Sequence, residues 1–186
     1  MKRLLAAAAA LLLLLSGCGR KESQMNRALA LRERVQKGSS TFEAEITADY
    51  GDRQAAFTLA CQSDPEGSLT FRVLEPESIA GISGRIAGDK GELTFDEAVL
   101  AFPMVADGLL TPVSAPWIFM KTLRTGYLSS AGMEGTSLRL CMEDSYRDDA
   151  LHANIWVDEE NAPQRVEILH DGQKYLSIAI RSFAVS

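Results

Sequence analysis

The chain has 186 residues, of which 46% are hydrophobic and 24% charged, with a formal net charge of −6 at pH 7. That apolar content excludes an intrinsically disordered chain. Twenty-five acids against nineteen bases lack the basic footprint of a nucleic-acid-binding protein, so no nucleic-acid partner is expected.

The chain opens MKRLLAAAAALLLLLSGCG, with Lys2 and Arg3 ahead of twelve uninterrupted Leu and Ala residues, Leu4 to Leu15. A helix of that length reaches about 18 Å, short of the roughly 30 Å core of a bilayer. The charged start and short apolar run predict a signal peptide instead. Leu15-Ser16-Gly17-Cys18 resembles the lipobox of bacterial lipoproteins. The resemblance implies cleavage before Cys18, a diacylglycerol thioether on its thiol, and acylation of the new amino terminus, with palmitate among the chains implied. Two or more acyl chains, at about 0.8 kcal/mol per buried methylene, anchor stably. The expected organisation is a cleaved signal peptide at 1–17, a lipidated tether at 18–22 and one domain at 23–186. The expected location is the cell membrane, lipid-anchored and facing the extracytoplasmic side, or the outer membrane of a diderm cell. Gly19 stands where some diderm lipoproteins carry the Asp of inner-membrane retention.

Residues 23–36 read as a helix with Ser23 as N-cap, an apolar stripe of Met25, Ala28, Leu31 and Val35, and Gly38 just past its end. Gly19 to Lys37 holds six bases and two acids, whereas Gly38 to Ser186 holds eleven bases and twenty-three acids. A basic helix beside an acyl anchor suits anionic headgroups. Equally, these charges suit a plain solvated face.

The hydrophobic period then changes from 3.6 to 2. In TFEAEITADY (41–50), Phe42, Ala44, Ile46, Ala48 and Tyr50 alternate with polar residues, which predicts a half-buried strand. Further strands are predicted at 54–62, 68–74, 82–87, 91–95 and 98–103, separated by turns at Gly51-Asp52, Asp64-Pro65-Glu66-Gly67, Asp89-Lys90-Gly91 and Asp96-Glu97. Glu75-Pro76-Glu77 predicts a short helical turn leading to Gly81. Residues 104–135 break the pattern. Ser114 as N-cap, Pro116 in the first turn and Gly126 as stop frame a helix at 114–125 that is apolar nearly all round, hence buried or facing something other than water. Four more strands follow, centred on Leu138–Met142, Leu151–Val157, Val166–Ile168 and Leu176–Ile180. His170-Asp171-Gly172-Gln173 predicts a type I′ hairpin turn. Alternation puts Trp156 on a polar face, where cover by the N-terminal helix is favoured over exposure to a partner. Parity also puts Cys61 on an apolar face and Cys141 on a polar one. Two free thiols are favoured, with a Cys61–Cys141 disulfide left open by export.

The order of helix, about six strands, apolar helix and about four strands resembles the lipoprotein-localisation superfamily (LolA, LolB and LppX/LprG-like proteins). EPESIAGISG (75–84) and APWIFMKTLRTGYLSSAGMEG (115–135) look like stretches of uncharacterised Clostridia-type lipoproteins. The resemblance implies an α+β fold, an open antiparallel β half-barrel of about ten strands. The N-terminal helix and the apolar helix would cover its concave face. It also implies that the concave face takes acyl chains. The side chains placed to line such a site are Phe42, Ile46, Phe57, Leu59, Phe71, Leu93, Phe95, Phe102, Met104, Trp117, Met120 and Leu123. The expected function is therefore a membrane-anchored lipoprotein that binds a lipid or other hydrophobic ligand. The alternative is an envelope sensor or protein-interaction module with a filled core, as in RseB-type regulators.

Chemistry is not expected. The two histidines, His152 and His170, fall on a polar face and beside a turn. HExxH, CxxC and GxSxG are absent. Residues 144–149, DSYRDD, lack the Gly and distal Glu of a calcium loop and read as a turn. No catalytic residue, metal or cofactor is expected.

Overall fold

The computed structural model describes residues 23–49, 51, 54–88, 90–95, 98–103, 111–147 and 150–186. The signal peptide, Cys18, Tyr50, Asp52, Asp89, Asp96, Glu97, Met104 and residues 148–149 lie outside them, as does the side chain of Phe102.

Helix α1 occupies residues 23–37. Strands β1 (Ser40–Asp49), β2 (Gln54–Ser63) and β3 (Leu69–Glu75) follow, then a 3-10 turn (Glu77–Ile79) and strands β4 (Ser83–Ala87), β5 (Lys90–Phe95) and β6 (Ala98–Pro103). A second 3-10 turn (Pro112–Ser114) runs into α2 (Ala115–Thr125). Strands β7 (Tyr127–Glu134), β8 (Ser137–Glu143), β9 (His152–Val157), β10 (Pro163–His170) and β11 (Gln173–Val185) complete the order. All eleven strands form one sheet in the order β6-β5-β4-β3-β2-β1-β11-β10-β9-β8-β7. Two antiparallel meanders are thus joined where the first strand pairs with the last, Ile46 opposite Ile178. The sheet does not close, because β6 and β7 are its two edges. This is an open α+β half-barrel.

Among the described residues the count is eleven, one more than the alternation suggested, and the added strand is β7. Its sequence YLSSAGME alternates in no regular way, and as an edge strand it buries none of its residues fully. A period-2 signal arises only where one face is consistently in the core.

The hairpin turns follow their sequence. Asp171 and Gly172 both have positive φ, +49° and +75°, as a type I′ turn demands. At 64–67 the Asp64 carboxylate accepts from the Ser68 backbone N–H at 2.8 Å. The Asp144 carboxylate does the same for the Leu151 backbone N–H at 2.9 Å, and the Asp144 N–H donates to the Leu151 carbonyl at 3.1 Å, so these two residues close the connection between β8 and β9.

The helices depart from expectation in detail. In α1, Ala28, Leu31 and Val35 are buried but Met25 is 36% exposed, so the apolar stripe seats only from its second turn onward. Ser114 does not cap α2. It is itself αR, and its Oγ donates back to the Thr111 carbonyl at 2.7 Å, because the 3-10 turn already supplies the first helical hydrogen bonds. Gly126 ends α2 in extended conformation, and glycine is required by crowding. A Cβ there would lie 2.6 Å from the carbonyl oxygens of Glu143 and Thr122.

Candidate functional site: the covered inner face

The inner face of the sheet is set by strand parity. Phe42, Ala44, Ile46 and Ala48 of β1 point the same way as Leu59 and Cys61 of β2 and Leu69, Phe71 and Val73 of β3, and all are buried. Across the β1–β11 junction the face continues through Ile178, Val166, Ile155 and Leu140, again all buried. Helix α2 lies over it, against β8, β10 and β11, while the preceding 3-10 turn rests on β1 and β2. Nine of the eleven residues of α2 are buried. Phe119 is fully buried and meets Phe42 edge-on with ring centres 5.7 Å apart. Such aromatic contacts contribute about 0.5–1.5 kcal/mol beyond burial.

A frame of side chain to main chain hydrogen bonds surrounds this apolar contact. Arg32 of α1 donates to the carbonyls of Leu123 (3.1 Å) and Gly126 (2.6 Å), capping the C-terminal end of α2 with a positive charge where the helix dipole favours one. Partial burial pulls the Arg32 pKa down. Gln36 donates to the Arg124 carbonyl at 2.7 Å. Arg124, only 6% exposed, donates to the Asp64 carbonyl at 2.7 Å, to the Pro65 carbonyl and to the Gln36 carbonyl. Arg27 and Arg34 of α1 donate to the carbonyls of Asp158 (2.7 Å) and Asn161 (2.6 Å). The three arginines of α1 are thus engaged with the body of the domain. Arg34 makes its contact on an exposed face, whereas Arg27 and Arg32 are half-buried.

Of the twelve residues expected to line a ligand site, seven are buried in this one cluster: Phe42, Ile46, Leu59, Phe71, Trp117, Met120 and Leu123. Phe57 and Leu93 are half-buried against it. Phe95 is 57% exposed and does not join it, because β5 runs out at the margin of the sheet. Phe102 and Met104 fall outside what is described. Among the described residues, three buried hydrogen-bonding atoms on the inner side have no partner: Ser40 Oγ, Trp117 Nε1 and Thr122 Oγ1. The sequence hid these, because orphaned donors are a property of packing.

Cys61 and Cys141 are both free. Cys61 is buried, and burial pushes its thiol pKa up. His152 lies 3.7 Å from the Glu143 carboxylate and His170 3.7 Å from that of Asp171, both near the surface. Among the described residues no group of three or more His, Cys, Asp or Glu could hold a metal ion. No described helix is long and apolar enough to cross a membrane.

Two features of the outer face were not anticipated. A groove of about 700 Å³ lies over β1–β3, walled by Glu45, Thr58, Leu74, Glu75 and Glu77. Thr58 Oγ1 donates to the Glu75 carboxylate there at 3.0 Å. Strand parity places Glu45 beside Thr58 and Thr58 beside Glu75, so the pattern held this signal. The second is Trp156. It is 7% exposed, yet it lies outside the core cluster. Its cover is two arginines, Arg165 at 3.7 Å and Arg139 at 5.4 Å from the ring centre, and not the N-terminal helix. The reason is parity: α1 sits on the inner face with Ile155 and Val157, and Trp156 points the other way.

No protein-family model and no curated protein matches the sequence. Solved structures resemble it in fold. A DUF1329 family protein from Desulfovibrio piger superposes with a TM-score of 0.51 at 8% identity, covering 89% of this chain and 93% of that one. A LolA superfamily protein from Nitrosomonas europaea gives 0.47 at 10% identity, covering 86% and 93%. The lipoprotein LppX of Mycobacterium tuberculosis gives 0.41 at 8% identity, covering 87% and 93%. What the chain shares with the Desulfovibrio piger protein is a fold alone, at 8% identity.

Proposed function

We propose that this chain is a membrane-anchored extracytoplasmic lipoprotein whose half-barrel holds a lipid or another hydrophobic ligand against its inner face. The observation that carries the reading is the set of unpartnered donors, Ser40 Oγ, Trp117 Nε1 and Thr122 Oγ1, buried on an otherwise apolar side. Each orphaned polar group costs about 1–3 kcal/mol. An amphiphile with ester or carboxyl oxygens offers apolar chains to the face and acceptors to the donors. The margin of the inner face supports this, since Phe57, Ile79, Ile82 and Leu93 are only half-buried there. Met25 and Leu29, one turn apart near the start of α1, are 36% and 48% exposed and close in sequence to Cys18, which suits a domain held against a bilayer. The proposal assigns no catalytic residue.

A second reading, an interaction module with a filled core, is favoured by the close Phe42–Phe119 contact and the burial of α2. Native mass spectrometry of residues 19–186, purified without detergent, separates the two. Co-purified lipid, or uptake of a fluorescent fatty acid that Trp117→Ala weakens, supports ligand binding; lipid-free protein that takes up no fatty acid supports the filled core. For the anchor, Cys18→Ser releases the protein from membranes and lowers its mass by the acyl groups. Unchanged membrane retention would sink that part of the reading.

A further inference from the structure

The outer face carries one row in strict register. Gly132 of β7 lies opposite Arg139 of β8, Arg139 opposite Trp156 of β9, and Trp156 opposite Arg165 of β10. The two guanidinium groups flank the Trp156 ring, and the Glu134 carboxylate reaches both, at 3.3 Å from Arg139 and 3.9 Å from Arg165. The row is therefore a cation, a ring and a cation, held by one acid. Arg139 Nε is buried and has no hydrogen-bond partner.

At its other end the row stops on a glycine at the edge of the sheet. A Cβ at Gly132 would meet nothing within 4 Å, and its φ lies outside the left-handed region, so neither crowding nor backbone conformation calls for glycine there. A groove of about 340 Å³ follows the same edge, bounded by Ser130, Gly132, Met133, Glu134, Arg139 and Cys141. Natural edge strands are protected by charged side chains, proline, bulges or a covering element. Strand β7 is eight residues long and is irregular between Leu128 and Ser130, but from Ser130 to Glu134 it runs in regular register with β8, has Glu134 as its one charged side chain, and exposes Met133 at 47%. In the described sheet it pairs only with β8.

We propose that β7 is a strand-addition site for an extended segment of a partner protein, with an aromatic side chain of that segment seated over Gly132 against Arg139. Main-chain hydrogen bonds to this edge, unpaired among the described residues, supply affinity, and the side chain opposite Gly132 supplies selectivity. A ring is the group that fits. It continues the alternation of cations and rings, it covers a glycine on a sheet as aromatic neighbours do, and a basic residue there would meet Arg139 while the nearby acid, Glu134, is already shared by two arginines. The site is on the face opposite the proposed ligand site, so the two proposals stand or fall separately.

The test uses the mature lipidated protein in detergent micelles and two blocked heptapeptides. One alternates threonine and valine around a central tyrosine; the other has alanine at the centre. Hydrogen–deuterium exchange should show slowed uptake at residues 127–134 with the tyrosine peptide. The alanine peptide should bind at least about fivefold more weakly, as expected for loss of a cation–π contact. Gly132→Val, which fills the space while keeping a β-compatible backbone, should abolish the difference between the peptides. Exchange of the remaining strands should be unchanged in this variant, which shows that it is folded. No protection of 127–134 at millimolar peptide, or equal binding of the two peptides, would overturn the proposal. So would a dimer in analytical ultracentrifugation that Met133→Lys dissociates, since the occupant would then be a second copy of this chain.

Discussion

The guanidinium of Arg124, buried at the C-terminal end of α2, donates to the main-chain carbonyl of Asp64 in the β2–β3 turn at 2.7 Å. The same group reaches the carbonyls of Pro65 and Gln36, so one cation ties α2 to the first meander and to the end of α1. Its oxygen partners there are main-chain carbonyls, which makes it a structural clasp. Hydrogen bonds to charged groups contribute about 1.5–3 kcal/mol each, and losing one partner strands the others. Arg124→Ala should therefore destabilise the protein by about 2–4 kcal/mol, and Arg124→Lys should recover little, since an ammonium lacks the planar fork. Urea unfolding checks both; a midpoint unchanged in Arg124→Ala would show that the clasp contributes nothing.

Gly84 lets β4 lie close to the Phe71 ring. A Cβ there would sit 2.5 Å from Phe71 Cζ and 2.8 Å from the Glu92 carbonyl. One obstacle is backbone, so Gly84→Ala should cost about 1–3 kcal/mol through overpacking. Adding Phe71→Leu should return part of that loss, and the double-mutant cycle measures the coupling.

Arg165 covers Trp156 more closely than Arg139 does, 3.7 Å against 5.4 Å from the ring centre. Removing it should admit water to the ring and cost about 0.5–2 kcal/mol. In a Trp117→Phe background, Trp156 is the single tryptophan and can be excited selectively over the tyrosines. Arg165→Ala should then raise acrylamide quenching and red-shift emission more than Arg139→Ala does. The reverse order would contradict the geometry.

Cys61 is buried with its thiol pKa raised, by desolvation, far above the ordinary value of 9.0. The folded state therefore holds this proton at pH values where the unfolded chain releases it. Stability from this group is intact below about pH 9 and falls as pH rises further, by at most about 1.4 kcal/mol per unit. The difference in unfolding free energy between wild type and Cys61→Ala should shrink between pH 8 and 10.5. In the native protein a thiol reagent should label Cys141, which is half-buried, and reach Cys61 only on unfolding.

The legible part of the fold was the part with a clean period. Alternation in β1 named Phe42, Ala44, Ile46 and Ala48, and all four are buried. The Asp171-Gly172 turn was legible for a chemical reason, since both positions need positive φ. Strand β7 was not, because none of its residues is fully buried and its sequence carries no alternation. Trp156 shows the boundary well. Parity put it on the outer face, but its cover came from Arg139 and Arg165, which lie seventeen residues before it and nine after it. Pairing register decides such neighbours.

By itself the sequence determined both helices and every strand but β7, the apolar character of α2, the main turns and the face on which residues of the alternating strands point. These are local matters of period, backbone conformation and residue chemistry. The tertiary structure alone decided which donors are left orphaned under α2, which carbonyls the α1 arginines reach, and that β7 is an edge with space over Gly132. Those depend on what lies opposite a residue across the sheet, and distance along the chain carries no record of that.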